Sequence, residues 1–139
     1  MFPTVELTIP AHLISDAPRP ILVPVGMTYS AADPLAVHML FPAEVTLHGT
    51  RVTWTFARAL LDSGLRTPSG TGDVRVWPGD RHRTMVELRS PEGVALLRFT
   101  TARLRHFLLH AYATVPAELE SRAIDIDGGL ATLLRESRP

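Results

Sequence analysis

The 139-residue chain has no cysteine, no lysine, only 6% aromatic residues and no apolar run near the roughly 18 residues a membrane span needs. Each absence excludes something. Without cysteine there are no disulfides, thiolate metal sites or cysteine nucleophiles. Without a long apolar run the chain does not embed in a bilayer as a helix. All fourteen cations are arginine, which reads first as a GC-rich coding bias and only second as a demand for forked guanidinium donors. Fourteen acids balance them, so the totals announce neither a basic nucleic-acid binder nor an acidic tail. The balance is uneven along the chain: residues 75–105 hold seven arginines against three acids, while both flanks are slightly acidic. Met1-Phe2-Pro3-Thr4-Val5-Glu6 lacks the basic start of a secretory leader, so none is expected. With 45% hydrophobic residues, the length fits one soluble globular domain over 1–139.

The first half alternates with a period of two. Val5, Leu7 and Ile9, then Ile21, Val23 and Val25, then Leu35 to Phe41, then Val52, Trp54 and Phe56 predict strands, and Val45-Thr46-Leu47 a short one beside the last. Pro10 and Pro24 withhold ladder N–H groups and point to sheet-edge positions. At Ala57 the period changes. Arg58 to Asp62 predicts a short helix with Arg58 facing Asp62, closed by Gly64 in the left-handed position. Strands resume at Val74 and Val76, and Trp77-Pro78-Gly79-Asp80 suits a type II turn. Thr84 to Ser90 and Val94 to Phe99 flank Pro91-Glu92-Gly93 as a bulged hairpin. Thr100 or Thr101 then starts a helix whose Leu104, Phe107, Leu108, Ala111, Tyr112 and Val115 share a face, ending at Pro116. A last helix from Asp125 or Asp127 carries Leu130, Leu133 and Leu134. Two strand-run-plus-helix halves without regular βαβ alternation predict an α+β fold of antiparallel sheets packed with helices.

Catalytic motifs find better structural explanations. Asp62-Ser63-Gly64 resembles an aspartic-protease signature, but it closes a helix and has no second copy. Gly70-Thr71-Gly72 leads into a strand rather than a helix, and no lysine completes a phosphate loop. His106 and His110 have the i,i+4 spacing of metal ligands, yet they lie with Arg103 on a polar helix face and lack a third ligand. No metal, cofactor or catalytic group is expected. Arg81-His82-Arg83 at a turn, with Arg75, Arg89, Arg103 and Arg105, could meet phosphates while Trp54, Trp77 or Tyr112 stack on bases. Pairing of those arginines with Asp73, Asp80, Glu87 and Glu92 is the plainer alternative, and a protein-binding surface explains the same residues without excess charge.

Several stretches resemble the SsgA-like sporulation and cell-division proteins of actinomycetes, and within them the SsgB type. Ala32-Asp33-Pro34-Leu35-Ala36-Val37-His38 is similar to the family's Ala-Asp-Pro-Tyr-Ala-Val-His segment. Trp54 to Leu61 resembles its Trp-x-Phe-Ala-Arg-x-Leu-Leu. Gly64-Leu65, Pro68 to Pro78 and Ser90 to Leu97 follow in family order, so the likeness runs from about Tyr29 to Leu134. Pro116-Ala117-Glu118 departs from the Pro-Pro-Gly turn of the SsgB type. The resemblance implies a non-enzymatic, cofactor-free protein with a Whirly-like fold, assembled as a homotrimer. It implies a cytoplasmic place at division septa, where it recruits the tubulin-like FtsZ and promotes its polymerisation, alongside other SsgA-like proteins. Arg81, His82 and Arg83, and the Arg103, His106 and His110 face, are the expected partner-binding surfaces. Single-stranded nucleic acid is the rival partner, disfavoured by the zero net charge.

Overall fold

The computed structural model describes residues 3–120. Within them each alternating run but one forms a strand: β1 (Thr4–Ile14), β2 (Ile21–Ser30), β3 (Ala36–Phe41), β4 (Val52–Ala57), β5 (Val74–Pro78), β6 (Arg83–Ser90) and β7 (Gly93–Thr100). Helix α1 (Arg58–Gly64) follows β4 and α2 (Thr101–Thr114) follows β7. The exception is Val45-Thr46-Leu47. Residues Ala43–Val45 form a 3-10 turn instead. All six β3 residues already pair with β4. The Thr46 hydroxyl then donates to the carbonyls of Ala43 and Thr50, at 3.2 and 2.6 Å, which closes the loop locally.

The strands form one seven-stranded antiparallel sheet in the order β4-β3-β2-β1-β7-β6-β5. The two halves therefore join through β1 and β7 rather than packing as separate sheets. Helix α1 touches both terminal strands, β4 and β5, which requires the sheet to curl. Pro10 and Pro24 are not at a sheet edge, because β1 and β2 are inner strands and the two prolines face each other. Neither can donate, so this is a non-hydrogen-bonded pair whose backbones point outward. The outer ladders start just beyond them, at Ala11 against β7 and Gly26 against β3. The missing donors thus fall where no ladder bond is required.

Cross-strand rows on one face make the core. Val76, Val86, Leu97 and Leu13 are successive neighbours, as are Thr84, Phe99, Ala11 and Val23. Leu104, Phe107, Leu108 and Ala111 of α2 are buried together with Ile9, Ala11, Val23, Leu97 and Phe99, as the helical spacing predicts. Thr100 occupies the N-cap position of α2 but its hydroxyl makes no cap bond. The Thr101 hydroxyl pairs instead with that of Thr84, 2.7 Å away and buried.

Three turns depart from expectation. Gly64 is not left-handed. A Cβ there would collide with the Val76 side chain, so glycine is required for close packing of α1 on β5. Gly79 likewise has no positive φ, and Pro78 is still in β5. The reversal is made one step later, with the Gly79 N–H donating to the Arg83 carbonyl (2.9 Å) and the Asp80 carboxylate accepting from the His82 N–H (2.7 Å). The β6–β7 hairpin keeps constant register down to Ser90 opposite Gly93, so it holds no bulge. Gly93, at φ 141°, takes the reversal. The helix expected from Asp125 or Asp127, with Leu130, Leu133 and Leu134, lies outside the described residues.

Candidate functional site

The densest polar site is built around Arg58, whose side chain is fully buried. Its Nη1 donates to the Tyr29 hydroxyl (3.0 Å) and to the carbonyls of Ala111 (3.1 Å) and Val115 (2.7 Å). Its Nε and Nη2 donate to Oε2 of Glu120 at 3.0 and 2.8 Å. The guanidinium also lies between the rings of Tyr29 and Tyr112, 4.9 and 4.2 Å from their centroids. The Tyr29 hydroxyl donates in turn to the Pro34 carbonyl (3.0 Å), and the Tyr112 hydroxyl to Oδ2 of Asp62 (2.9 Å). Burial, then the Asp62 carboxylate, pushes the Tyr112 phenol up to about 12, and burial also raises Tyr29. One cation therefore ties the start of α1 to β2, to the C-terminal carbonyls of α2 and to the segment beyond it.

Arg58 does not face Asp62, as its spacing predicts; Asp62 pairs with Arg66 at 4.0 Å on the exposed side and with Tyr112 within. A signal was nonetheless present. Extending the inward positions Val52, Trp54 and Phe56 by one more period of two lands on Arg58. This cluster positions structure, and its polar groups are used up internally. Tyr112, engaged with Arg58 and Asp62, is not an aromatic free to stack on a base.

The expected partner-binding residues lie on the surface. Arg81 and His82 are exposed and Arg83 partly so, at the β5–β6 turn, where with Asp80 and Arg98 they border a depression of about 450 Å³. Hydrogen bonds from the His82 and Arg83 backbones, then the nearby Arg83 and His82 charges, hold the Asp80 carboxyl below its ordinary value. Arg103, His106 and His110 are exposed on α2, with the two imidazoles edge to face at 4.6 Å. The Thr101 N–H donates to the His82 carbonyl (2.9 Å), which joins the turn to the start of α2 and brings the two sets onto adjoining surface. Among the described residues the pairing alternative holds for Arg89, but Arg81, Arg83 and Arg103 have no ion-pair partner. Glu87 pairs with Arg89 (2.8 Å) and Glu92 with His48 (2.9 Å). No three metal-ligating side chains cluster among the described residues.

The family model "Streptomyces sporulation and cell division protein, SsgA" matches residues 23–120. The chain is 42% identical to the sporulation-specific cell division protein SsgB of Streptomyces coelicolor, over 96% of this chain and 98% of that one. It is 39% identical to SsgB of Salinispora tropica over 94% and 93%. Among solved structures it resembles one from work on SsgB mutations and longitudinal cell division during sporulation of S. coelicolor. The TM-score there is 0.78 at 41% identity, covering 88% of this chain and 96% of that one. It also resembles the SsgA-like sporulation-specific cell division protein of Thermobifida fusca, with TM-score 0.77 at 33% identity, covering 94% and 96%. With the matched segment holding most of β2, all of β3 to β7, α1, α2 and the Arg58 cluster, the chain belongs to the SsgA-like family of sporulation-specific cell division proteins, of the SsgB type.

Proposed function

We propose that this chain is a non-enzymatic recruiter that positions FtsZ at septum sites in the cytoplasm and promotes its polymerisation. Residues 1–139 act as a single domain and assemble as a homotrimer, with other SsgA-like proteins as further partners. The observation that carries the reading is the adjoining pair of cationic surfaces, Arg81, His82 and Arg83 with Arg103, His106 and His110. Their arginines are unpaired among the described residues and so available to a partner. A trimer presents three copies of this surface to one filament, so weak single contacts add through high effective concentration.

Co-sedimentation with FtsZ and GTP tests this, run beside fluorescence-anisotropy titration of single-stranded DNA at two salt concentrations. Enhanced FtsZ pelleting without DNA binding is the expected result. DNA binding that falls steeply with salt, without any effect on FtsZ, supports the rival nucleic-acid reading instead. The same cationic surface favours that reading as the second choice, and Asp80 at its rim weighs against a continuous phosphate track.

A further inference from the structure

The two ends of the sheet are treated differently. At β5 the outer edge is covered: Ser69 and Val76 exchange backbone bonds of 2.8 and 3.0 Å. At β4 the only strand partner among the described residues is β3. The Arg58 N–H donates to the Leu35 carbonyl at 2.8 Å, which fixes the phase of that ladder. Val52, Trp54 and Phe56 then turn their backbone groups toward β3, and Thr53 and Thr55 turn theirs outward. Among the described residues no backbone group bonds to these outward donors and acceptors.

Beside this edge lies a cleft of about 690 Å³, lined by Leu13, Val23, Phe41, Trp54, Leu88 and Leu97. Val52, Thr53 and Trp54 all border it although successive side chains alternate faces, so the strand's edge faces the cleft. Its lips are Leu47 and Val94, 75% and 60% exposed, two of the few large apolar side chains left in water. His48 and Glu92 join the two lips at 2.9 Å.

We propose that the free edge of β4 is a docking site for an extended peptide segment of a partner protein. The segment adds as an eighth strand, pairing with Thr53 and Thr55 and lowering alternate apolar side chains between Leu47 and Val94 into the cleft. Unpaired backbone groups at every second residue call for a strand, and the apolar floor calls for uncharged side chains at the same period. A second copy of this chain fits less well. It would bring a whole sheet into a gap bounded by the β6–β7 hairpin and bridged by His48 and Glu92. The inference does not depend on which division protein supplies the segment.

Acetylated, amidated heptapeptides alternating Thr with Val, Leu or Phe are titrated into the 15N-labelled full chain. Binding is read by amide exchange at Thr53 and Thr55 and by Trp54 fluorescence in a Trp77→Phe background. The expected result is saturable binding that slows exchange at both threonine amides. N-methylation of the pairing peptide residues should weaken it at least about tenfold, through the lost backbone bonds. Thr53→Pro, which removes an outward donor but no β3 bond, and Val94→Asp at an exposed lip should each weaken it comparably. Three results overturn the proposal. None of the peptides slows exchange at Thr53 and Thr55; the N-methylated peptides bind equally well, making the cleft a site for apolar molecules only; or both amides are already protected in the free chain in a concentration-dependent way, making the occupant a second copy.

Discussion

Replacing Arg58 by methionine removes five hydrogen bonds and a cation held between two rings while keeping much of the side-chain volume. Not every acceptor suffers equally. The Ala111 carbonyl keeps the Val115 N–H at 3.0 Å, and the Tyr29 hydroxyl keeps its own acceptor at Pro34. The losses concentrate on the Val115 carbonyl and on the Glu120 carboxylate, whose side chain is only 12% exposed. Stranding one member of a buried ion pair costs about 3–5 kcal/mol, and leaving a carbonyl unpaired adds about 1–3, part of which local loosening recovers. The expectation is a loss of about 4 kcal/mol, large against a total stability of about 5–15. In urea denaturation with a slope of about 2 kcal/mol/M, the midpoint falls by about 2 M. Arg58→Lys keeps the charge but not the fork or the stacking, and should lose about half as much. Adding Glu120→Gln to the methionine variant should recover stability, because no unpaired charge then remains. A midpoint shift below about 0.5 M for Arg58→Met, or no recovery in the double variant, refutes the hub reasoning.

Further expectations follow from the same geometry. Tyr112 is held at about 12 against an ordinary 10, so its contribution is complete below pH 10 and is lost as pH rises from 10 towards 12. Two pH units correspond to about 2.7 kcal/mol, which solvent contact of the half-buried ring reduces to about 1, and Tyr112→Phe should flatten this alkaline arm in pH-dependent denaturation. Gly64→Ala drives a methyl group into Val76 and should lower stability by about 1–3 kcal/mol, read as a lower thermal midpoint. Thr84→Val strands the Thr101 hydroxyl and should cost about 1–2 kcal/mol, with Thr84→Val plus Thr101→Val closer to wild type in a double-mutant cycle.

Much of the fold was legible because burial follows a period. The inward positions of β2, Val23, Val25, Met27 and Tyr29, alternate, and those of α2 repeat at three and four residues. What was illegible depends on distant partners. Gly64 and Pro10 carry strong local meanings that neighbours override: Gly64 is dictated by Val76 on another strand, and Pro10 is accommodated because the β7 ladder starts one residue later. Arg58 reads as a surface cation until Glu120, 62 positions away, is placed beside it. The exposed positions of Arg81, His82, Arg103, His106 and His110 were legible from turn and helix phase, whereas their meeting through Thr101 and His82 required the sheet register. The β4 edge was hidden altogether, since no sequence pattern says which strand ends outermost.

The most direct test of the recruiter account is FtsZ co-sedimentation with GTP, comparing the wild-type chain with the Arg81→Ala, Arg83→Ala, Arg103→Ala variant at matched fold and trimer content by circular dichroism and mass. Wild type is expected to raise the pelleted fraction of FtsZ, and the triple variant to lose most of that effect. Equal pelleting by both, or none by wild type, contradicts the recruiter account.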